Sequence, residues 1–338
     1  MKRLTIAATL ALTAFGAYAS NFRGADQVYV PVAGHAAGAS GTFISDVYIS
    51  NLSADPVTIS VIYQPFGSNE NNANGVGQEF RDAITLRANE RKEFLDFFRT
   101  ALNVQSGFGQ LIFNACKSGA SCGSEAQDQH GNSANFRPIS VETRIYQVTT
   151  ARPTETTGQL FSGIPWYNFV SSLQNNVGLD RIFITGITNT GTAGTAGTFR
   201  TNIGLVNASQ YSTTTLVVRL YQGTLDNAGF KQEAQVRLGP LGNVQPGLGA
   251  LFPGVALGSN YFVTVEQRES TATGTVPADC VNNGGCPAFL AYGSSLDNVS
   301  GDATTLEPQF LKELSPEAID EIYPPAAGKP AVRRVVRH

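Results

Sequence analysis

The sequence predicts an all-β protein built from two tandem antiparallel β-sandwiches of immunoglobulin-like type. That expectation rests on three features of the chain. Short runs of Val, Ile, Thr, Tyr and Phe alternate with polar residues and end at Gly, Asn or Pro, whereas helical periodicity is scarce. Composition leans the same way: 14% of the residues are charged, Gly occurs 35 times in 338, and there is one Met and one Trp, a usage that favours strands and turns. Finally, "GTFISDVYISNLS" (Gly41 to Ser53) returns as "GTFRTNIGLVNAS" (Gly197 to Ser209), an offset of 156 residues between positions 41 and 197 with five letters identical. Such a repeat predicts a duplicated domain.

The chain opens with Lys2 and Arg3, an apolar run from Leu4 to Phe15, and the small-x-small triplet Ala17, Tyr18, Ala19, which reads as a secretory signal peptide over residues 1–19. The run is shorter than a membrane span needs, so the chain is expected to be exported to the periplasm, cell envelope or medium, without a membrane span. A net charge of −3 argues against nucleic acid as a partner, because phosphate binding needs a dense basic face. The basic stretch "KPAVRRVVRH" at the end reads as a solvated tail.

Each unit begins with a short apolar strand running into a Gly, Ala and Thr loop, "VYVPVAGHAAGASGTF" and "IFITGITNTGTAGTAGTF". In the next strand Phe43, Ser45, Val47 and Ile49 share one face, as do Phe199, Thr201, Ile203 and Leu205, and both strands stop at an Asn suited to a turn, Asn51 or Asn207. The third pair, "VTISVIYQ" (Val57 to Gln64) and "TTTLVVRLYQ" (Thr213 to Gln222), can be aligned by letters at an offset of 158 or by apolar faces at 157. A slip of one residue turns every side chain over, so the faces decide. "FRDAITL" matches "FKQEAQVRL", where Phe230, Ala234, Val236 and Leu238 are expected inward and Lys231, Glu233, Gln235 and Arg237 outward. "GQLIFNA" and "PISVETRIYQ" complete the first unit, "NYFVTVEQ" and "AFLAYGSSL" the second. "DFFRTALN" adds a helical turn, and a short helix is expected after "ELSP", with Ser315 as N-cap, Pro316 at its first position, Leu314 stapled to Ile319, and Pro324 and Pro325 as the stop. The expected organisation is signal peptide 1–19, first sandwich 24–153, connector 154–175 with Trp166 packed on one sandwich, second sandwich 176–310, and helix with basic tail 311–338.

Residues that carry chemistry are few. Cys116 with Cys122 and Cys280 with Cys286 have five residues between partners, and an even count in an exported chain predicts two small disulfide rings; zinc would want closer spacing and more histidines. His35, His130 and His338 sit in Gly-rich loops or at the end and read as solvated. No Gly-x-Ser-x-Gly elbow is present, and the glycine runs break dinucleotide-binding spacing. Two stretches faintly echo calcium loops. In the first, Glu70, Asn72, Asn74 and Gly75 are followed by Arg81 where an acid is needed; in the second, Asp297, Asn298 and Asp302 read more simply as an Asx turn. Asn51, Asn207 and Asn298 head Asn-x-Ser sequons and are read as turn residues rather than glycan sites. No catalytic, cofactor or metal residues are therefore nominated.

"FRTNIGLVNAS", "VVRLYQG" and "AYGSSLDNVSGD" together resemble a repeated pattern in secreted bacterial proteins of unassigned function with paired immunoglobulin-like sandwich repeats. The likeness covers Phe199 to Asp302; the first unit departs from it at Ile44, Ser45 and Asp46, and "ETRIYQVTTARPTETTGQ" replaces the acidic turn. It implies fold and export, and no catalytic residue. The expected function is a non-enzymatic structural or recognition role at the envelope or outside the cell, with a glycan or protein partner. The alternatives are a carbohydrate-binding module pair, for which Tyr29, Tyr48, Tyr63, Trp166 and Tyr292 are available, and a secreted hydrolase without a recognisable motif.

Overall fold

The computed structural model describes residues 24–38, 41–71, 77–120, 135–149, 152–168, 181–276 and 287–311. Among these the protein is antiparallel β, with helix only in single turns at Phe97–Thr100, Trp166–Asn168 and Leu248–Leu251. The first half contains β1 (Gln27–Ala37), β2 (Thr42–Asn51), β3 (Val57–Pro65), β4 (Gln78–Leu86), β5 (Arg91–Phe94), β6 (Gly107–Lys117), β7 (Ile139–Thr149), β8 (Arg152–Ser162) and β9 (Ile164–Pro165). The second contains β10 (Arg181–Asn189), β11 (Phe199–Asn207), β12 (Ser212–Gln222), β13 (Phe230–Leu238), β14 (Asn243–Val244), β15 (Gly258–Ala272), β16 (Phe289–Asp297), β17 (Ala303–Leu306) and β18 (Gln309–Leu311).

The two halves repeat one strand order. In the first, β4-β3-β6-β1 forms one array and β5-β2-β7-β8 the other; in the second, β13-β12-β15-β10 and β14-β11-β16-β17 do the same. Even the short closing strands correspond, since β9 lies on β1 at Tyr29 and β18 on β10 at Phe183. One difference is local. β1 and β2 share three ladder pairs at their ends, from His35 with Ile44 to Ala37 with Thr42, which joins the first half into one continuous sheet, whereas the second half keeps two.

Both arrays of a half contribute to a single core, from Val28, Val47, Ile59, Phe113 and Val141 in the first and from Ile182, Ile203, Val218, Val263 and Ala291 in the second. Val61 and Tyr63 point into the first core and Val218 and Leu220 into the second, so the offset of 157 is the true one and Tyr221 faces outward. Phe230 corrects the expectation made for β13. A register shift between Leu220 and Tyr221 sets it opposite Tyr221, so it lies on the outer face, 41% exposed, instead of in the core.

The repeat extends to hydrogen bonds. Asn51 Nδ2 donates to the carbonyls of Asp55 and Arg87 while its Oδ1 accepts from the Ser53 N–H. Asn207 does the same with Ser212, Gly239 and the Ser209 N–H. Likewise the Gly34 N–H donates to Ser45 Oγ, and the Thr188 N–H to Thr201 Oγ1. Each side chain ties off a backbone group that the strand ladders leave unpaired.

The halves meet face to face. Tyr29, Val32, Ile62 and Ile112 from the outer side of β1, β3 and β6 pack on Val206, Ala208, Leu290 and Tyr292 from the outer side of β11 and β16. Tyr29 donates its hydroxyl to the Ala208 carbonyl, Gln110 Nε2 donates to the Leu241 carbonyl, and Gly67 and Asn243 exchange backbone bonds. Residues 28–33 of β1 are buried on both faces for the same reason. A cavity of about 10 Å³ lies in this seam against Gln27, Tyr29, Ile62 and Leu241, room for about one water.

Leu241 shows what the seam demands of local geometry. It adopts φ 52°, and its counterpart in the first half, Asn89, adopts φ 56°; the N–H of Leu241 bonds to Ser209 O as that of Asn89 bonds to Ser53 O. Asn tolerates the left-handed region, while Leu does so at a cost of about 1 kcal/mol or more. Leu is nevertheless present where the side chain is buried against Tyr29 and Ile112, whereas Asn89 is exposed. Leu241→Ala is therefore expected to destabilise by about 2–4 kcal/mol and Asn89→Ala by less than about 1 kcal/mol, read as midpoints of urea unfolding.

The segment expected as a connector from 154 begins as structure of the first half: β8 pairs with β7, β9 with β1, and Trp166 packs on the first core while its Nε1–H donates to Asp26 Oδ1 at 2.9 Å. Of the helix and tail expected over 311–338 only Leu311 is described, as the last residue of β18; residues 169–180, 312–338 and the proposed signal peptide lie outside the described residues.

Candidate functional site

Because the halves share one topology, each serves as a control for the other. The outer face of β5-β2-β7-β8 in the first half is open, whereas the equivalent face in the second half is buried in the seam. Cross-strand register sets Tyr48 where the second half has Gly204, Glu142 where it has Tyr292, Arg144 where it has Ser294, and Asp46 where it has Asn202. The covered face carries no charge at these four places, whereas its open duplicate carries Glu142, Arg144 and Asp46.

On the open face, register lines up Glu93, Tyr48 and Glu142 in one row across β5, β2 and β7, with Asp46 beside Arg144 in the next and Ile44 beside Tyr146 after that. The Arg91 guanidinium lies 5.8 Å from the Tyr48 ring centre and 3.6 Å from Glu142, and that of Arg144 lies 5.0 Å from the Tyr146 ring. Burial, then a hydrogen bond to Glu93, raises the Tyr48 hydroxyl above the ordinary tyrosine value.

At the end of this face sits a chain of polar contacts. His35 Nδ1 meets Asp96 Oδ1 at 2.9 Å, the Asp96 N–H donates to Asp46 Oδ1 at 2.9 Å, and the Tyr146 hydroxyl donates to the same oxygen at 3.2 Å. Asp96 holds φ 46° and its carbonyl accepts from the N–H groups of Arg99 and Thr100, starting the helical turn that sends Phe97 and Phe98 into the core. The expectation that His35 is solvated is thereby corrected: it is 5% exposed, because β1 runs on to Ala37, pairs with β2 and carries the ring under Asp96. The second half has Asn189 and Gly247 at these places, so the scaffold does not require the cluster.

Asp46, 3% exposed, holds Tyr146 in position rather than facing solvent. Burial, followed by the negative charges of Asp46 and Asp96, pushes the Tyr146 hydroxyl up to about 12. Since the folded state holds this proton more tightly than an unfolded tyrosine titrating near about 10, its contribution is intact below pH 10 and is lost as pH rises through about 12. Tyr146→Phe is expected to show a shallower loss of stability over that window in denaturant titrations at stepped pH; an unchanged slope would place the raised value elsewhere.

A second open surface covers the outer side of β12, β13 and β15. Tyr221 stacks on Phe262 at 5.3 Å and 9°, and Phe230 meets Tyr221 edge-on at 5.7 Å. Beside them Arg219 binds Glu233 and Glu266, each at 2.8 Å, and Arg181 binds Glu266 at 3.0 Å. Here the rings lie against one another, whereas on the first face it is guanidinium groups that lie over the Tyr48 and Tyr146 rings.

Of the aromatic candidates from sequence, only Tyr48 stands on an open face. Tyr29 and Tyr292 are in the seam, Tyr63 is in the core against Phe98, and Trp166 closes the first half. Reasoning from sequence missed Tyr146, Glu142, Arg144, Asp46 and Asp96. Their signal was the departure of the first unit from the second at positions 46, 48, 142 and 144.

Cys116 is buried at the end of β6 and is not free, while Cys122, Cys280, Cys286, His130 and His338 lie outside the described residues. So do Asn72, Asn74 and Gly75 of the first calcium-like stretch. In the second, Asp297 Oδ1 accepts from the Val299 and Ser300 N–H groups, which lowers its carboxyl below the usual range, and Asn298 Oδ1 accepts from Arg200. Those contacts are the Asx turn. Among the described residues no three His, Cys, Asp or Glu side chains group as a metal site, and no helix is long and apolar enough to cross a membrane. The three sequon asparagines are all buried.

No protein-family model and no curated protein matches the chain. Among solved structures it is similar to a lectin from Pleurotus ostreatus in complex with GalNAc, at 12% identity and a TM-score of 0.16, covering 87% of this chain and 77% of that one. The apo form of that lectin gives 10% identity and a TM-score of 0.19 over the same shares. Likeness at this level carries no argument about fold or ligand.

Proposed function

We propose that the chain is an exported, non-enzymatic protein of two immunoglobulin-like β-sandwiches that recognises a partner at the cell envelope or outside the cell, on the open face of its first half. The observation that carries this reading is the exchange of Gly204, Tyr292 and Ser294 for Tyr48, Glu142 and Arg144 at equivalent places in a duplicated fold. The N-terminal leader pattern and the even cysteine count support export, and an oxidising compartment is what the expected pairing of Cys116 with Cys122 and of Cys280 with Cys286 would require. The resemblance to secreted bacterial repeat proteins points the same way.

Residues 20–338, immobilised and exposed to solubilised envelope fractions, are expected to retain a partner that Tyr48→Ala with Arg144→Glu releases and Tyr221→Ala with Phe262→Ala does not. Retention that follows the second pair would move the site to the second half, and no retention by the native chain would remove the recognition reading.

A further inference from the structure

The open face of the first half combines rings with interleaved charge of both signs, and few ligand classes suit that mixture. Protein interfaces enrich Tyr and Arg but deplete acids from their centres, yet here Glu93 and Glu142 flank Tyr48 on both sides of the middle row. Nucleic acid would need a field of one positive sign, and acids stand in both rows. A lipid surface would need a field of exposed apolar side chains, and here Leu160, opposite Arg144, stands among charges. Sugars instead present vicinal hydroxyls, which pair two at a time with carboxylates and guanidinium forks, and C–H faces, which lie on aromatic rings.

Resting on the recognition reading above, we infer that the partner is a neutral glycan seated across the row Glu93–Tyr48–Glu142. The Tyr48 ring is the platform, on the face that the Arg91 guanidinium does not cover. Glu93, which also bonds the Tyr48 hydroxyl, and Glu142, paired with Arg91 at 3.6 Å, flank the ring on β5 and β7 and accept from sugar hydroxyls with their remaining lone pairs, while Arg144 donates from the next row. Asp46 is a positioning residue, fixing Tyr146 at the boundary of the site. The backbone under the face belongs to a nine-stranded sheet, so the ordering cost of binding falls on the side chains.

The test exposes residues 20–338 to an array of neutral oligosaccharides of glucose, galactose, mannose and N-acetylglucosamine, with heparin as the anionic comparison and solubilised envelope protein as the macromolecular one. Binding to at least one neutral oligosaccharide is expected, weakened at least about tenfold by Tyr48→Ala and by Glu142→Gln, held within about threefold by Tyr48→Phe, and untouched by Tyr221→Ala. Unfolding midpoints of the variants show whether a loss is one of folding, and Tyr48→Phe and Glu142→Gln keep the shape of the face. Envelope protein retained through Tyr48 with no neutral sugar bound, or heparin preferred to every neutral sugar, would overturn the glycan and leave the face as a recognition site. Absence of any ligand whose binding depends on Tyr48 would overturn both.

Discussion

Asn207→Ala is expected to lower stability by about 3 kcal/mol or more, among the largest effects of any polar substitution in the chain. Its amide donates to Ser212 O at 2.7 Å and Gly239 O at 2.9 Å, and its oxygen accepts from the Ser209 N–H at 3.1 Å. All three backbone groups belong to turns at the end of the second half, and Ala208 and Ser209 are covered by the seam, so water has no route to replace the lost partner. Asn51→Ala removes the same contacts where Leu52 stands 49% exposed, and there water can enter. It should cost less, about 1–2 kcal/mol. Equal losses in urea titrations of the two variants would mean that the seam does not seal the second turn.

Gly204→Ala is expected to be as severe, about 3 kcal/mol or more, although the change adds one methyl group to a strand. The Tyr292 ring lies directly over Gly204, so a Cβ there runs into the ring, and the ring is backed by Phe161 of the first half at 5.6 Å, edge-on. Neither can retreat without opening the seam. The equivalent position in the open half is Tyr48, which shows that the strand itself accepts a large side chain. In Gly204→Ala with Tyr292→Ala the losses should fall well short of additive, because the second change removes the obstacle created by the first. Tyr292→Phe should be close to neutral or stabilising, since its buried hydroxyl has no partner to lose.

The fold class was legible because strands buried on one side alternate with period two. Val57, Ile59 and Val61 read inward without help from tertiary structure, and the same alternation resolved the conflict between offsets 157 and 158. The seam was legible only in retrospect. "VYVPV" and "AFLAY" do not alternate, as expected of strands covered on both faces, but a run of five apolar letters does not say what covers it. Phe230 was misplaced because a register shift is a property of two strands together, invisible along either one. His35 was misread for a related reason: its burial depends on Asp96, 61 residues away in sequence, at a left-handed backbone position that no local pattern marks. The open face could have been suspected from the repeat, since Tyr48 opposite Gly204 is the largest change of size within the matched thirteen letters.

The central claim is that two copies of one domain are stacked as a single body through the Tyr292 seam, which leaves the Tyr48 face free. Backbone ¹⁵N relaxation of residues 20–338 tests it most directly. Amides of both halves should report one rotational correlation time, that of a body of roughly the full chain mass, 35.8 kDa. Two shorter and unequal times, each matching a half tumbling alone, would contradict it.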